Sequence, residues 1–435
     1  MFFQEELETL SREKLNELQL ERAQELVKYV YERIPFYTDL FDKAGVSPSD
    51  LKSLDDLPRF PFTVKQNLRD AYPFDMFAVP MDEVARIHCS SGTTGTASVV
   101  GYTQHDLDEW ADCFARFVRA ADCGPGSVMQ VGYGYGLFTG GLGAHFGGER
   151  AGCALLPTST GNTKRQVRLM RDFGTEVLAC TPSYALVIAD AMIAAGIDKS
   201  ELKLKSAILG AEPCSEGMRK EIEEKLGCQV YDIYGLSEVM GPGVACECGE
   251  QHGLHVNEDK FIIEIVDPET LQPVPDGEWG EVVFTTLTKQ CSPLVRYRTR
   301  DISRIIPGEC PCGRTGKRMD RIAGRTDDML IIRGVNVFPV QFAQVISEFP
   351  EVTSYYQIVL TTKGSLDAVE LDIETVTDFP FDEIRRLQDL KKRIEAALKG
   401  NLQVAVNVKI VEPMTIERAE GKAKRIIDLR GEANA

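Results

Sequence analysis

No stretch of the chain approaches the ~20 consecutive apolar residues that a membrane-spanning helix requires, so no membrane partner is expected. Positive charge is also scarce: 49 Lys and Arg stand against 66 Asp and Glu, a net charge of −17 that argues against nucleic acid as a bulk partner. The opening residues, Met1-Phe2-Phe3-Gln4-Glu5-Glu6, turn acidic at once and lack the basic-then-apolar order of a secretory signal. Twelve cysteines without such a signal are expected as reduced thiols or metal ligands, in a cytoplasmic protein, and not as a disulfide framework. Two phosphate-binding signatures are missing as well. No G-x-x-x-x-G-K-[ST] is present, which excludes an ordinary P-loop, and no G-x-G-x-x-G supports a dinucleotide fold. Internal repeats and low-complexity tracts are absent.

What the chain does have is Ser90-Ser91-Gly92-Thr93-Thr94-Gly95-Thr96, a run of hydroxyls and glycines. Glycine lets backbone approach a ligand closely, and Ser and Thr donate hydrogen bonds without bulk, so the loop suits a polyphosphate. A solvated linker would read the same way from these residues alone. Between Lys289 and Arg333 there are eleven Lys and Arg against five Asp and Glu, a basic stretch in an acidic chain. It would suit an anionic small molecule, or simply a solvated surface.

At 435 residues, 43% apolar and 26% charged, the chain has room for about three average domains, or one large domain with a smaller partner. The apolar spacing predicts one helix over 5–34, stopped by Pro35, and a second from Tyr37 to Ala44. Strands at 84–89 and 99–103 flank the hydroxyl loop. Helix 105–121 and strand 127–132 follow, and then strands (154–156, 176–180, 206–209) alternate with helices (163–173, 183–195). This βα alternation predicts an α/β fold with a mostly parallel sheet covered on both faces, its ligand loops at the strands' carboxyl ends. Tyr133 to Gly141, alternating aromatic and glycine, suits the wall of an aryl pocket or a glycine-rich helix start. Further strands are predicted at 261–266, 281–286 and 302–305. After Arg325 the texture changes to strands (329–332, 357–361, 369–374, 404–411) and a helix over 383–399, enough for a small core of its own; the boundary falls at Thr326-Asp327-Asp328.

Six motifs in fixed order now identify a resemblance: Ser-Ser-Gly-Thr-Thr-Gly (90–95), Gly-Ala-Glu-Pro (210–213), Tyr-Gly-Leu-Ser-Glu (234–238), Arg-Tyr-Arg-Thr-Arg-Asp (296–301), Gly-Arg-Thr-Asp-Asp-Met (324–329) and Glu-Gly-Lys-Ala-Lys-Arg (420–425). Together they resemble the acyl-adenylate-forming superfamily, and 134–145 and 331–339 resemble its phenylacetate–CoA ligases. The resemblance implies a large N-terminal adenylation domain (1–326) of mixed and parallel sheets flanked by helices with a β-barrel-like portion. A small mobile α+β domain (327–435) would follow, with Asp327 as the hinge. It implies that ATP and a carboxylate give an acyl-adenylate and pyrophosphate, after which CoA displaces AMP.

On that resemblance Ser90, Ser91, Thr93 and Thr94 cradle pyrophosphate and Glu238 holds Mg²⁺. Gly210, Ala211, Glu212, Asp232, Tyr234 and Gly235 line the nucleotide, Asp301 takes the ribose hydroxyls, and Arg325 contacts ribose or phosphate. Lys422 is the adenylation lysine, with Lys424 as its alternative. Tyr135, Phe138, Ala211, Gly235 and Leu236 shape the aryl pocket. Where relatives carry Lys after the second glycine of the loop, this chain has Thr96. A homodimer is expected.

Cys246-Glu247-Cys248, His252, His255 and Cys310-Pro311-Cys312 offer four thiolates and two imidazoles, enough for a tetrahedral zinc; scattered buried thiols are the alternative. Resemblance to cysteine-bearing relatives points to Cys248, His255, Cys310 and Cys312, with Cys246 and His252 as substitutes, in a closed structural site. Other readings are a ligase for indoleacetate, hydroxyphenylacetate or an aminobenzoate, transfer to an acceptor other than CoA, or a catalytically silent zinc-stabilised nucleotide-binding module.

Overall fold

The computed structural model describes residues 1–90, 97–332, 335–363 and 366–430. Its centre is a nine-stranded sheet. Five parallel strands lie in the spatial order Ala154–Leu156, Val128–Val131, Val177–Cys180, Ser206–Gly210, Gln229–Leu236. Antiparallel strands Gly241–Glu247, Leu254–Val256, Arg318–Met319 and Ile305–Ile306 extend it. Every residue of Val177–Cys180 and Ser206–Gly210 is buried, as expected for strands covered on both faces. Alternation then divides the side chains. Leu178, Cys180, Leu209 and Val230 pack under helices Thr163–Asp172, Pro182–Ala194 and Glu216–Leu226. Val177, Ala179, Ile208 and Tyr231 pack under helices Gln104–Ala120 and Thr139–Arg150.

The N-terminal helix differs from the single predicted span. A short turn, Glu5–Glu8, precedes helix Arg12–Arg33, whose amide of Lys14 donates to the Ser11 hydroxyl at 3.3 Å. Pro35 both ends that helix and opens the next, Pro35–Ala44, because its missing N–H costs nothing at a first helical position. These helices pack on a four-stranded antiparallel sheet, Phe261–Val266, Gly280–Thr286, Tyr297–Ser303 and Gly324–Arg325. Strand Tyr297–Ser303 starts five residues before the predicted 302–305. Its outward arginines hid an alternation in which Tyr297, Thr299, Asp301 and Ser303 are buried.

In the basic stretch, expected to suit an anion or to be a solvated face, most arginines are paired with carboxylates of other segments. Arg296 pairs with Glu264, Arg298 with Glu281, Arg304 with Asp320, Arg314 with Glu8 and Arg321 with Glu247. Much of the charge is held in these cross-links, while Arg318, among the described residues, bonds only His252 and the carbonyls of Gly308 and Glu309.

From Leu330 onward a separate apolar core forms around Phe342, Ile358, Leu371, Ile394 and Val408. Its mixed sheet runs Val406–Val411, Leu366–Thr375, Val352–Lys363, Ile426–Asp428, covered by helices Pro339–Ile346 and Ile384–Leu402. This unit docks on the helical face of the large sheet. Tyr355 Oη donates to Asp190 at 2.7 Å, Ser354 Oγ donates to Glu221 at 2.7 Å, and Tyr355 and Ile416 join the apolar cluster there. No described helix is long and apolar enough to cross a membrane.

Candidate functional site

Strand Gln229–Leu236 delivers the most site residues. At Gly235 a Cβ would lie 1.9 Å from the Gly241 carbonyl oxygen, so only glycine permits the turn that brings Glu238 back over the sheet edge. Tyr102, on the strand leaving the hydroxyl loop, donates to the Met240 carbonyl at 2.8 Å, and Thr139 and Ser237 share a 3.0 Å hydroxyl contact. The Glu238 carboxylate is buried, and its partner is Lys65 Nζ at 3.3 Å. Lys289, also buried, donates to the Val239 carbonyl at 3.0 Å and lies 4.7 Å above the Tyr102 ring. Sequence reasoning missed both lysines, since neither sits in a motif. A buried carboxylate is an oxygen donor of the kind Mg²⁺ takes, and Lys65 pairs with one of its two oxygens.

The loop base is closed by the Ser90 amide donating to the Ser98 carbonyl (3.0 Å) and the Ser98 amide to Ser90 Oγ (3.1 Å). Ser91, Thr93, Thr94 and Thr96 lie outside the described residues.

Around the nucleotide position, Gly210 ends its strand and Ala211 turns outward with φ +72°. Tyr234 stacks on Phe284 with centroids 6.1 Å apart, and its hydroxyl donates to Asp301 Oδ2 at 2.6 Å. Arg325 donates to the other oxygen, Oδ1, at 2.5 Å, and to both oxygens of Asp327 at 3.0 and 3.1 Å. Burial raises the Asp301 carboxyl above its ordinary range, against the pull of Arg325. Asp232 sits apart from this group. It is half-buried beside Glu247, Arg321 and Arg219, and burial, then the Glu247 charge, pushes it up to about 7.

Lys422 is exposed and makes no ion pair among the described residues. Its neighbours on both sides are fixed to the large unit. Thr181 Oγ1 donates to the Gly421 carbonyl at 3.0 Å, and the Ala423 amide donates to Glu212 Oε2 at 3.0 Å. This brings the 420–425 motif beside 210–212. Lys424 is exposed, and its carbonyl accepts from Gln357 at 3.3 Å.

Among the aryl-pocket candidates, Tyr135 is half-buried and its hydroxyl lies 3.1 Å from His145 Nδ1, while His145 Nε2 lies 3.2 Å from Glu149. Phe138 precedes helix Thr139–Arg150 and stays exposed, folded over Gly140, while Gly235 and Leu236 are half-buried.

Cys248, His255, Cys310 and Cys312 place their ligand atoms within 4.8 Å of one another. Zinc at about 2.3 Å from sulfur and 2.0 Å from nitrogen makes a tetrahedron with S···S edges of about 3.8 Å and S···N edges of about 3.5 Å. The Cys248–Cys310 sulfurs are 3.7 Å apart, and Cys312 Sγ is 3.4 Å from His255 Nε2. The donor set and its spacing therefore fit zinc. The second nitrogen, His255 Nδ1, is buried without a hydrogen-bond partner among the described residues, the one departure from a usual zinc histidine. Cys246 packs into the apolar cluster under helix Gln104–Ala120, and His252 Nδ1 accepts from Arg318 at 3.1 Å, so neither joins the group.

Two family models match: "AMP-binding enzyme" over residues 2–287 and "AMP-binding enzyme C-terminal domain" over 334–430. A phenylacetate-coenzyme A ligase of Thermus thermophilus is 51% identical across 99% of this chain and 100% of its own, and that of Escherichia coli is 49% identical across 98% and 97%. Among solved structures, 2-hydroxyisobutyryl-CoA ligase in its postadenylation state superposes with a TM-score of 0.92 at 28% identity, covering 98% of this chain and 92% of that one. The same enzyme in its thioesterification state gives 0.73 at 29% identity, covering 98% and 91%, so the two units here are arranged as in the former. The chain belongs to the AMP-binding enzyme family, in its phenylacetate–coenzyme A ligase branch.

Proposed function

We propose that the chain activates an aryl carboxylate, phenylacetate first among candidates, with ATP to an acyl-adenylate and then transfers the acyl group to CoA, releasing AMP and pyrophosphate. The observation that carries this reading is the meeting of three groups from distant segments: Glu238 in its buried turn, the Tyr234–Asp301–Arg325 cluster, and the Lys422 loop pinned against 210–212. Asp301 would take the ribose hydroxyls and Tyr234 the adenine face. Lys422, a mobile point charge, would bridge the substrate carboxylate and the α-phosphate, where negative charge grows in the first step. Glu238 would hold Mg²⁺, which when bound supplies charge neutralisation to the departing pyrophosphate. Ser90, Ser91, Thr93 and Thr94 would donate hydrogen bonds to that leaving group. Tyr135, Phe138, Ala211, Gly235 and Leu236 would set the acid's shape, with Gly210, the Glu212 backbone and Arg325 on the nucleotide side. The Glu212 carboxylate, held by the Ser183 and Ala423 amides, and Asp232, beside Glu247 and Arg321, would make no contact with the nucleotide.

Cys248, His255, Cys310 and Cys312 would hold a structural zinc with no open position. A small C-terminal domain turning about Asp327 would withdraw Lys422 before CoA attacks. The remaining proposals are a homodimer and a cytoplasmic location.

The test is phenylacetate-dependent ATP–pyrophosphate exchange. Lys422→Ala should lose it by a factor of about 10² or more while still binding ATP. Exchange left intact would sink the assignment. A panel of aryl and alkyl acids scored for AMP release ranks the substrate.

A further inference from the structure

Glu212 follows Ala211 at the outer rim of the sheet, where its backbone suits a nucleotide, but its carboxylate is engaged elsewhere. Oε1 accepts the Ser183 amide at 2.7 Å and Oε2 accepts the Ala423 amide at 3.0 Å. Ser183 lies in the first turn of helix Pro182–Ala194, where amides have no intrahelical acceptor and the helix dipole favours a negative charge. That end of the helix therefore holds Glu212 and leaves its other oxygen aimed at the C-terminal unit. The helix N-cap, Thr181, works in parallel. Its hydroxyl accepts the Tyr184 amide at 3.3 Å and donates to the Gly421 carbonyl at 3.0 Å.

Lys422 is thus the single residue between two backbone anchors, one polar contact on each side. Fixing the flanking peptides sets the direction of its Cα–Cβ bond and leaves the side chain exposed and free to reach a ligand. Both anchors come from the large unit, so both must part before the small unit can turn. The Arg425 guanidinium adds a weaker link, 3.4 Å from Ser183 Oγ.

We propose that Glu212 is a positioning residue for the first half-reaction: its carboxylate latches the Lys422 loop in the adenylating pose and releases it for the second. The inference rests on the reading of Lys422 given above. A helix cap alone would serve both half-reactions equally. A latch serves one.

The experiment uses the full chain with Glu212→Gln and Glu212→Ala. Three quantities are read: phenylacetate-dependent pyrophosphate exchange, thioester formation from supplied phenylacetyl-adenylate and CoA, and hydrogen–deuterium exchange of peptides spanning 419–425. Losing a hydrogen bond to a charged group should slow pyrophosphate exchange about tenfold or more in Glu212→Ala. Glu212→Gln keeps one acceptor oxygen and should lose less. The thioester step should stay within about twofold of the parent protein, and amide exchange at 421–423 should speed up. Equal losses in both half-reactions, unchanged pyrophosphate exchange, or unchanged amide protection would each overturn the latch. Lys422→Ala run alongside separates the two ideas. If that variant keeps its exchange activity, the lysine reading fails, while faster amide exchange in Glu212→Ala still reports the contact itself.

Discussion

The Tyr234 hydroxyl and the Arg325 guanidinium grip opposite oxygens of Asp301, at 2.6 and 2.5 Å. On the proposed reading, a ribose arriving at this carboxylate would meet an acceptor already oriented and buried. Asp301→Asn should therefore raise KM for ATP by about ten- to a hundredfold, the cost of a hydrogen bond to a charged group. Tyr234→Phe keeps the ring and removes the positioning hydroxyl, so its effect should be about fivefold. Steady-state kinetics with varied ATP decides both, and an Asp301→Asn effect no larger than that of Tyr234→Phe would contradict the carboxylate as the main contact.

Asp232 makes a pH prediction. Its carboxyl is raised to about 7 in the folded chain, above the ordinary carboxylate range. Between those values the folded state binds more protons than the unfolded one, so this group's contribution is intact below about pH 4 and lost as pH rises through 7. Asp232→Asn should be more stable than the parent at pH 8, by about 1 kcal/mol or more, and the gap should close toward pH 5. Urea unfolding at four pH values measures it; a gap that widens on acidification contradicts the burial argument.

The cysteine cluster predicts one zinc per chain by elemental analysis of protein purified without chelator. Cys310→Ser should abolish stoichiometric zinc and lower Tm, because the loops around 248 and 310 lose their common anchor. Treatment with a strong chelator should do the same reversibly. Zinc-free protein with an unchanged Tm would reduce the cluster to four neighbouring side chains.

Tyr135 is held through His145, and that contact predicts a change in selectivity. His145→Ala frees the phenol and should raise KM for the aryl acid about three- to tenfold, with KM for ATP unchanged. Competition between phenylacetate and its ring-hydroxylated analogues reads the same contact from the substrate side. Equal shifts for acid and nucleotide would place Tyr135 outside the acid's pocket.

Some of this architecture could be read from residues alone, for identifiable reasons. Strands Val177–Cys180 and Ser206–Gly210 are apolar on both faces and need no partner to be recognised. Helix Glu216–Leu226 escaped because its buried apolar stripe is only Met218, Ile222 and Leu226 in a polar segment, and its N-cap, Ser215, looks like any loop serine. The arginines from 296 to 321 misled more seriously, since charge in a sequence does not disclose that most of these guanidiniums have a carboxylate waiting in another segment. Glu238, Asp301 and Lys422 were visible through motif order. Lys65, Lys289 and the side-chain role of Glu212 were not, because each depends on a contact between segments that no local pattern records.

The Arg314–Glu8 pair has a temporal meaning. Glu8 precedes its partner by 306 residues, and the Met1 carbonyl that Arg314 also holds precedes it by 313. At ribosomal speeds of about 5–20 residues per second, the first residues wait roughly 15 to 60 s for the segment that fixes them. Helix Arg12–Arg33 waits nearly as long, since Gln19 is bonded to the carbonyls of Glu258 and Phe261. Its apolar stripe of Ala23, Leu26 and Val30 meets local neighbours such as Tyr37, Phe41 and Leu57 early, while Phe261 and Phe284 of the same cluster arrive only later. Until segment 255–315 is made, residues 1–33 therefore lack these polar partners, and a chaperone could hold them open in that interval.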